Sequence, residues 1–193
     1  YIEKKEEKPV SKILFFNKAG GDIYFLLGED YERKGEYEKS KQMFQEATVL
    51  SPVEPFSWQK LERIYEKTGE EKIPLYQELA TKVKFVQPEC TFSGYYSKVF
   101  YRLGLYYYQR GEGEAGVNYW REAARISPQW SFFWLELANF YGEKGDFEER
   151  EGVLKNCLKF HFPKSHCEEY LDDQVIEPVG AWEKEINAIP DNP

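Results

Sequence analysis

Residues 21–52 read GDIYFLLGEDYERKGEYEKSKQMFQEATVLSP, and residues 97–128 read SKVFYRLGLYYYQRGEGEAGVNYWREAARISP. Laid over each other at a shift of 76, Gly28, Tyr31, Gly35, Phe44, Ala47 and Pro52 fall on Gly104, Tyr107, Gly111, Trp120, Ala123 and Pro128. Ala138, Tyr141, Gly145, Leu154 and Cys157 follow another 34 residues on. A period near 34 is the mark of stacked helical hairpins. Tyr24, Leu27, Gly28 and Tyr31 lie at helical spacing, and Gly35 ends that helix as a left-handed cap. Tyr37, Ser40, Phe44 and Ala47 carry the second helix until Pro52 stops it. The spacing sets Gly28 against Ser40 and Ala47, so that the two helices approach closely. Tyr31 and Phe44 then fill the gaps between hairpins, and each hairpin gains its stability by stacking on the next.

Outward from these two stretches the pattern loosens and recovers. Trp58, Leu61 and Tyr65 open another hairpin that turns at Gly69, with Pro74 near the start of its second helix, where a missing N–H costs little. Leu75, Leu79, Val83 and Val86 form an apolar stripe up to Pro88. The turn glycines Gly35, Gly69, Gly111 and Gly145 are spaced 34, 42 and 34, which places eight surplus residues around 87–94 (QPECTFSG). The expected organisation is a leader over 1–20, hairpins over about 21–54, 55–88, 97–130 and 131–163, and capping helices and tail over 164–193. Residues 1–12 are charged and aperiodic, 13–16 form an apolar patch able to cover the first hairpin, and 165–175 and 180–189 carry shorter helical patterns. A chain that opens on Tyr1 and whose single methionine is Met43 reads as a piece of a longer one. No strand pattern is present.

These positions resemble the tetratricopeptide repeat family, whose pattern asks for Trp, Leu, Gly, Tyr, Ala, Phe, Ala and Pro at fixed places. The chain offers Tyr24, Leu27, Gly28, Tyr31, Ser40, Phe44, Ala47 and Pro52, then Phe100, Leu103, Gly104, Tyr107, Gly116, Trp120, Ala123 and Pro128, then Trp134, Leu137, Ala138, Tyr141, Arg150, Leu154 and Cys157. Residues 55–88 match only in their first helix. The resemblance implies an all-α chain, a right-handed α-α superhelix of about four hairpins plus C-terminal capping helices, with a concave groove lined by the first helix of each hairpin. A second resemblance rests on Cys157-x₉-Cys167-Glu-Glu-Tyr-Leu after a Tyr-rich array, which is similar to C-terminal extensions of bacterial O-antigen ligase or polymerase-like membrane proteins. It implies an extracytoplasmic accessory domain, with membrane contact only through a segment outside these residues.

Composition narrows the function classes. A net charge of −8 repels phosphate backbones, so nucleic acid is not an expected partner. The glycines of 110–116 (RGEGEAG) are a hairpin turn and a packing position rather than a phosphate loop. Both histidines lie near one end, and the acidic pairs Glu70–Glu71, Glu148–Glu149 and Glu168–Glu169 sit at turns and caps. The expectation is a protein- or peptide-binding scaffold without catalytic activity and without a cofactor. A glycan that stacks on aromatic rings is a further partner class.

Two groups of residues stand out as sites. Cys157, His161, His166 and Cys167 admit three readings: a disulfide between the cysteines, a shared metal ion, or plain packing of Cys157 at a small-residue position. Cys90 is left over in the surplus stretch. By the repeat resemblance, groove positions fall on Phe25, Glu29, Glu32 and Arg33, on Phe56, Gln59, Arg63 and Lys67, on Tyr101, Leu105, Tyr108 and Gln109, and on Leu135, Asn139 and Glu143. The Lys/Asn set with which some members clamp a C-terminal carboxylate is missing. The first half is charged and the second aromatic and apolar, so a ligand is expected along Tyr101, Leu105, Tyr108, Leu135 and Asn139. The alternative is that the chain's own terminal helices cover these rings.

Overall fold

The computed structural model describes residues 10–83, 91–160, 166–172 and 176–191, with the side chains of 10–17, 166, 169 and 172 outside the description. All regular structure among the described residues is helical: α1 (Val10–Arg33), α2 (Tyr37–Leu50), α3 (Pro55–Thr68), α4 (Ile73–Lys82), α5 (Ser93–Gln109), α6 (Gly113–Ile126), α7 (Ser131–Glu143), α8 (Phe147–Leu158), α9 (His166–Asp172) and α10 (Glu183–Ala188). The chain divides into two compact units, residues 1–83 and 84–193. The first holds the hairpins α1–α2 and α3–α4. The second holds α5–α6 and α7–α8, followed by α9 and α10.

The turns follow from glycine. Gly35 and Gly111 adopt φ of 75° and 81°, a region that a Cβ would strain, and Gly69 and Gly145 repeat this at the other hairpins. The hairpins α1–α2 and α5–α6 then close on a glycine. At Gly28 an ideal Cβ would lie 2.6 Å from the Phe44 ring, and at Gly104 only 2.2 Å from the Trp120 indole. The large ring of the second helix therefore sits where the first helix has no side chain. Ser40 lies against Gly28 as its spacing sets it, and its hydroxyl donates to the Gly28 carbonyl at 2.8 Å. The shift of 76 extends to hydrogen bonds. Trp58 Nε1–H donates to the Pro52 carbonyl at 2.9 Å, and Trp134 Nε1–H donates to Pro128 at 3.1 Å.

The first unit has its core in Phe44, Ala47, Trp58, Leu61, Ile64 and Leu79. That of the second runs through Tyr101, Leu103, Trp120, Phe133, Leu135, Leu137 and Leu154. Three boundaries differ from the sequence reading. Residues 10–20, read as leader, are the opening turns of α1. The third hairpin begins at Ser93 rather than Ser97, because Ser93, Gly94, Tyr95 and Tyr96 are buried and continue the helix. The two capping patterns shrink to α9 and α10, and residues 176–182 between them carry no helix. Residues 87–90 of the surplus stretch, Cys90 included, lie outside the described residues.

Candidate functional site

In the first unit the inner face of α1 and α3 is a mesh of charges around Glu32. Its carboxylate accepts from Arg63 at 2.8 Å and from Lys67 at 3.0 Å, with Lys60 at 3.5 Å. Lys60 also reaches Glu29 at 2.6 Å. Burial raises the Glu32 pKa, but the bonds from Lys67 and Arg63 outweigh it and hold the carboxyl below its ordinary value. A cavity of about 400 Å³ lies over these residues and Arg33. The face is polar and already paired within itself.

The inner face of the second unit is different in kind. α7 carries three acceptors about one turn apart, Glu136, Asn139 and Glu143. Residues 176–182 lie against them and present backbone N–H groups. Glu177 N–H donates to Asn139 Oδ1 at 3.2 Å and Val179 N–H to Glu143 Oε1 at 3.1 Å. Gly180 N–H and Trp182 N–H both donate to the Glu136 carboxylate, at 2.9 and 3.3 Å. From α5, the Tyr101 hydroxyl donates to Glu136 at 3.3 Å and the Tyr108 hydroxyl to Glu143 at 2.5 Å. The Trp182 ring closes the segment between Phe132, at 5.3 Å between centroids, and Tyr170 of α9, at 6.0 Å. Ile176 packs on Gly142, where a Cβ would meet it at about 3 Å.

Beyond Trp182 the chain stays on α5. Lys98 is buried, donates to the Ile189 carbonyl at 2.9 Å and pairs with Asp191. Gly94 permits this, since an ideal Cβ there would stand 1.9 Å from the Pro190 carbonyl oxygen. Ile186 and Ile189 are buried.

The ligand face expected along Tyr101, Leu105, Tyr108, Leu135 and Asn139 is therefore not open in this structure. Tyr101, Leu105, Leu135 and Asn139 are buried and Tyr108 is half-buried. The physical reason is that residues 176–191 cover the surface that α5 and α7 leave over after forming their hairpins. Asn139 Nδ2–H finds no acceptor among the described residues, which leaves a buried donor unused. Glu136 was not singled out by its position, because a glutamate inside an otherwise apolar helix gives no periodic signal. Its burial is complete, and it is the residue on which most bonds converge.

That burial pushes the Glu136 pKa from 4.5 up to about 7, although the Gly180 and Trp182 N–H groups and the Tyr101 hydroxyl pull it down. For Tyr108, the bond to Glu143 and then burial push the hydroxyl up to about 12. The sign for stability follows from the raised carboxyl. Between pH 4.5 and about 7 the folded chain keeps a proton that the unfolded chain has lost, so this group's contribution is full below that window and falls away as pH rises through it. Asp30, Glu70 and Glu114 act in the opposite sense, held below their ordinary values by hydrogen bonds from Lys34, Lys41 and Lys144. The expected result is therefore read as a difference. The stability of the wild type relative to Glu136→Gln should drop by about 3 kcal/mol between pH 4.5 and 8 in urea titrations.

Cys157 of α8 and Cys167 of α9 are joined as a disulfide, with Cα atoms 6.4 Å apart. His161 and the side chain of His166 lie outside the described residues. Among the described residues no group of three His, Cys, Asp or Glu is placed to hold a metal ion. No described helix is long and apolar enough to cross a membrane.

Residues 21–53, which span the α1–α2 hairpin from Gly21 onward, match the model of the tetratricopeptide repeat. That match covers the first hairpin alone. The turn glycines, the close Gly28–Phe44 and Gly104–Trp120 contacts and the indole bonds to Pro52 and Pro128 recur between the two units at the shift of 76. Solved structures similar to the chain include MamA, at 19% identity over 84% of this chain and 86% of that one with a TM-score of 0.44. Another is MamA 41-end from Desulfovibrio magneticus RS-1, at 15% identity over 72% and 75% with a TM-score of 0.40. A third is pilF of Pseudomonas aeruginosa, at 15% identity over 79% and 81% with a TM-score of 0.34. No curated protein is similar in sequence at a significant level.

Proposed function

We propose that this chain is a protein-interaction scaffold without chemistry of its own, and that the inner face of α5 and α7 is where it holds a peptide segment. The observation that carries this is the way residues 176–182 are held there. Three side chains of α7 accept four backbone N–H groups of a non-helical segment. A face that reads main-chain donors is indifferent to most side chains of its occupant, and the contacts of Trp182 with Phe132 and Tyr170 supply the selectivity. The unused Nδ2–H of Asn139 offers one further bond to an occupant that brings a carbonyl.

The experiment uses a fluorescent peptide of residues 176–182 (IEPVGAW). Gly180→Pro in the full chain removes the N–H that Glu136 accepts, and at φ 91° the proline ring cannot adopt the backbone. The variant should bind the peptide in anisotropy titrations, and adding Asn139→Ala should weaken it about tenfold, the cost of one lost bond in a desolvated site. Helicity of both variants should equal that of the wild type. Absence of peptide binding to a fully helical Gly180→Pro chain contradicts the reading.

A further inference from the structure

We propose that residues 176–182 act as a built-in, exchangeable occupant of the α5/α7 face, and that the Cys157–Cys167 disulfide is the latch that keeps them there. The inference rests on the peptide-binding reading above and concerns its regulation.

The latch acts through α9. This helix has seven residues, too few to persist without tertiary support. It is tied to α8 by the disulfide at Cys167 and by a hydrogen bond from Arg150 Nη2–H to the Tyr170 carbonyl at 2.9 Å, and it also packs on α7. Tyr170 stands three residues after Cys167, on the same side of the helix, and both are buried. Its ring forms one wall of the socket for Trp182, and Phe132 forms the other. Trp182, half-buried, is the large aromatic anchor of the segment, and contacts of such rings contribute heavily to docking. Position therefore passes in a short chain of contacts from the disulfide to Tyr170 and on to Trp182.

The acceptors for the segment's backbone follow a separate route. Glu136, Asn139 and Glu143 belong to α7, which packs against α6 and α8 as well as against α9. Opening the latch thus removes one wall of the anchor socket and leaves the row of acceptors in place. The face is vacated without being dismantled. Reduction supplies the opening: a dithiol gives two electrons and two protons, the S–S bond breaks to thiols at Cys157 and Cys167, and the dithiol leaves as its own disulfide. Both sulfurs are buried, so the movement of α9 that admits the reductant is the movement that loosens Trp182.

Amide hydrogen exchange on the full chain tests this, comparing the oxidised protein with the same protein under excess dithiothreitol and with Cys157→Ser/Cys167→Ser. The amides of Glu177, Val179, Gly180 and Trp182 should exchange at least about tenfold faster in both reduced and double-serine samples, the effect of losing an aromatic anchor. Those of Leu103 and Leu137, in the middle of α5 and α7, should keep their protection. Unchanged exchange at 177–182 overturns the latch. Equal loss of protection at Leu103 and Leu137 also overturns it, since the disulfide would then hold the whole unit together. The peptide of residues 176–182 separates this from the binding reading. Under reduction it should bind at least about tenfold more tightly than to the oxidised chain. A segment that is loosened by reduction while the peptide still fails to bind leaves the latch standing and defeats the peptide-binding function.

Discussion

Trp120→Ala is expected to destabilise the chain by about 3–5 kcal/mol, the largest loss of any single truncation considered. The indole is fully buried between the two hairpins of the second unit. It packs on Tyr108 at 5.9 Å and Phe140 at 6.2 Å between centroids, and its Nε1–H donates to the Tyr101 carbonyl at 3.3 Å. The space it fills exists only because Gly104 has no side chain, so the cavity left by alanine is walled by helix backbone that cannot collapse into it. Trp120→Phe keeps most of the ring contact and loses the hydrogen bond, and should cost about half as much. Gly104→Ala approaches the same contact from the other helix by overpacking and should cost about 1–3 kcal/mol. Urea midpoints at constant m-value check all three. A Trp120→Ala loss under about 1 kcal/mol would mean that the hairpins do not close on this residue.

Removing the disulfide should cost about 3 kcal/mol, the loop-closure entropy for cysteines separated by 10 residues. The cost is set in the unfolded chain, so Cys157→Ala/Cys167→Ala and reduced wild type should have nearly equal urea midpoints, both below that of the oxidised protein. Arg150 sharpens the expectation. It is buried beside the disulfide, and desolvation lowers its pKa, so its bond to the Tyr170 carbonyl is a costly tie to leave unmade. Once the disulfide is absent, Arg150→Met should loosen α9 further, measured as faster exchange at Tyr170. Equal midpoints for oxidised and reduced protein would show that the bond stabilises nothing.

The repeat was legible because it is written in residues whose roles are steric. Gly35, Gly69, Gly111 and Gly145 mark the turns, and each adopts positive φ. Gly28 and Gly104 mark the close crossings, and their partners Phe44 and Trp120 are the rings that fill them. That the C-terminal part of the chain covers the second unit was legible as an alternative, but the covering segment itself was not. Residues 176–182 have no periodicity to read, and they dock by main-chain N–H groups that every sequence has. Tyr101 and Leu135 read as an exposed apolar face for the same reason: the hairpin pattern accounts for contacts between hairpins and is silent on a segment that folds back over them. Glu136 escaped notice because a charge on a helix ordinarily faces water, and only the three-dimensional arrangement turns it inward towards Tyr101, Gly180 and Trp182.

The Glu136 carboxyl group holds the main chain of residues 180 and 182 against α7. Titration of the backbone amides by two-dimensional NMR reads this bond directly. The account predicts that the Gly180 and Trp182 amide protons shift together with a shared midpoint near pH 7, and that this titration vanishes in Glu136→Gln. If both amides give pH-independent shifts typical of solvent-bonded groups in the wild type, residues 176–182 do not occupy the α5/α7 face, and the central claim is wrong.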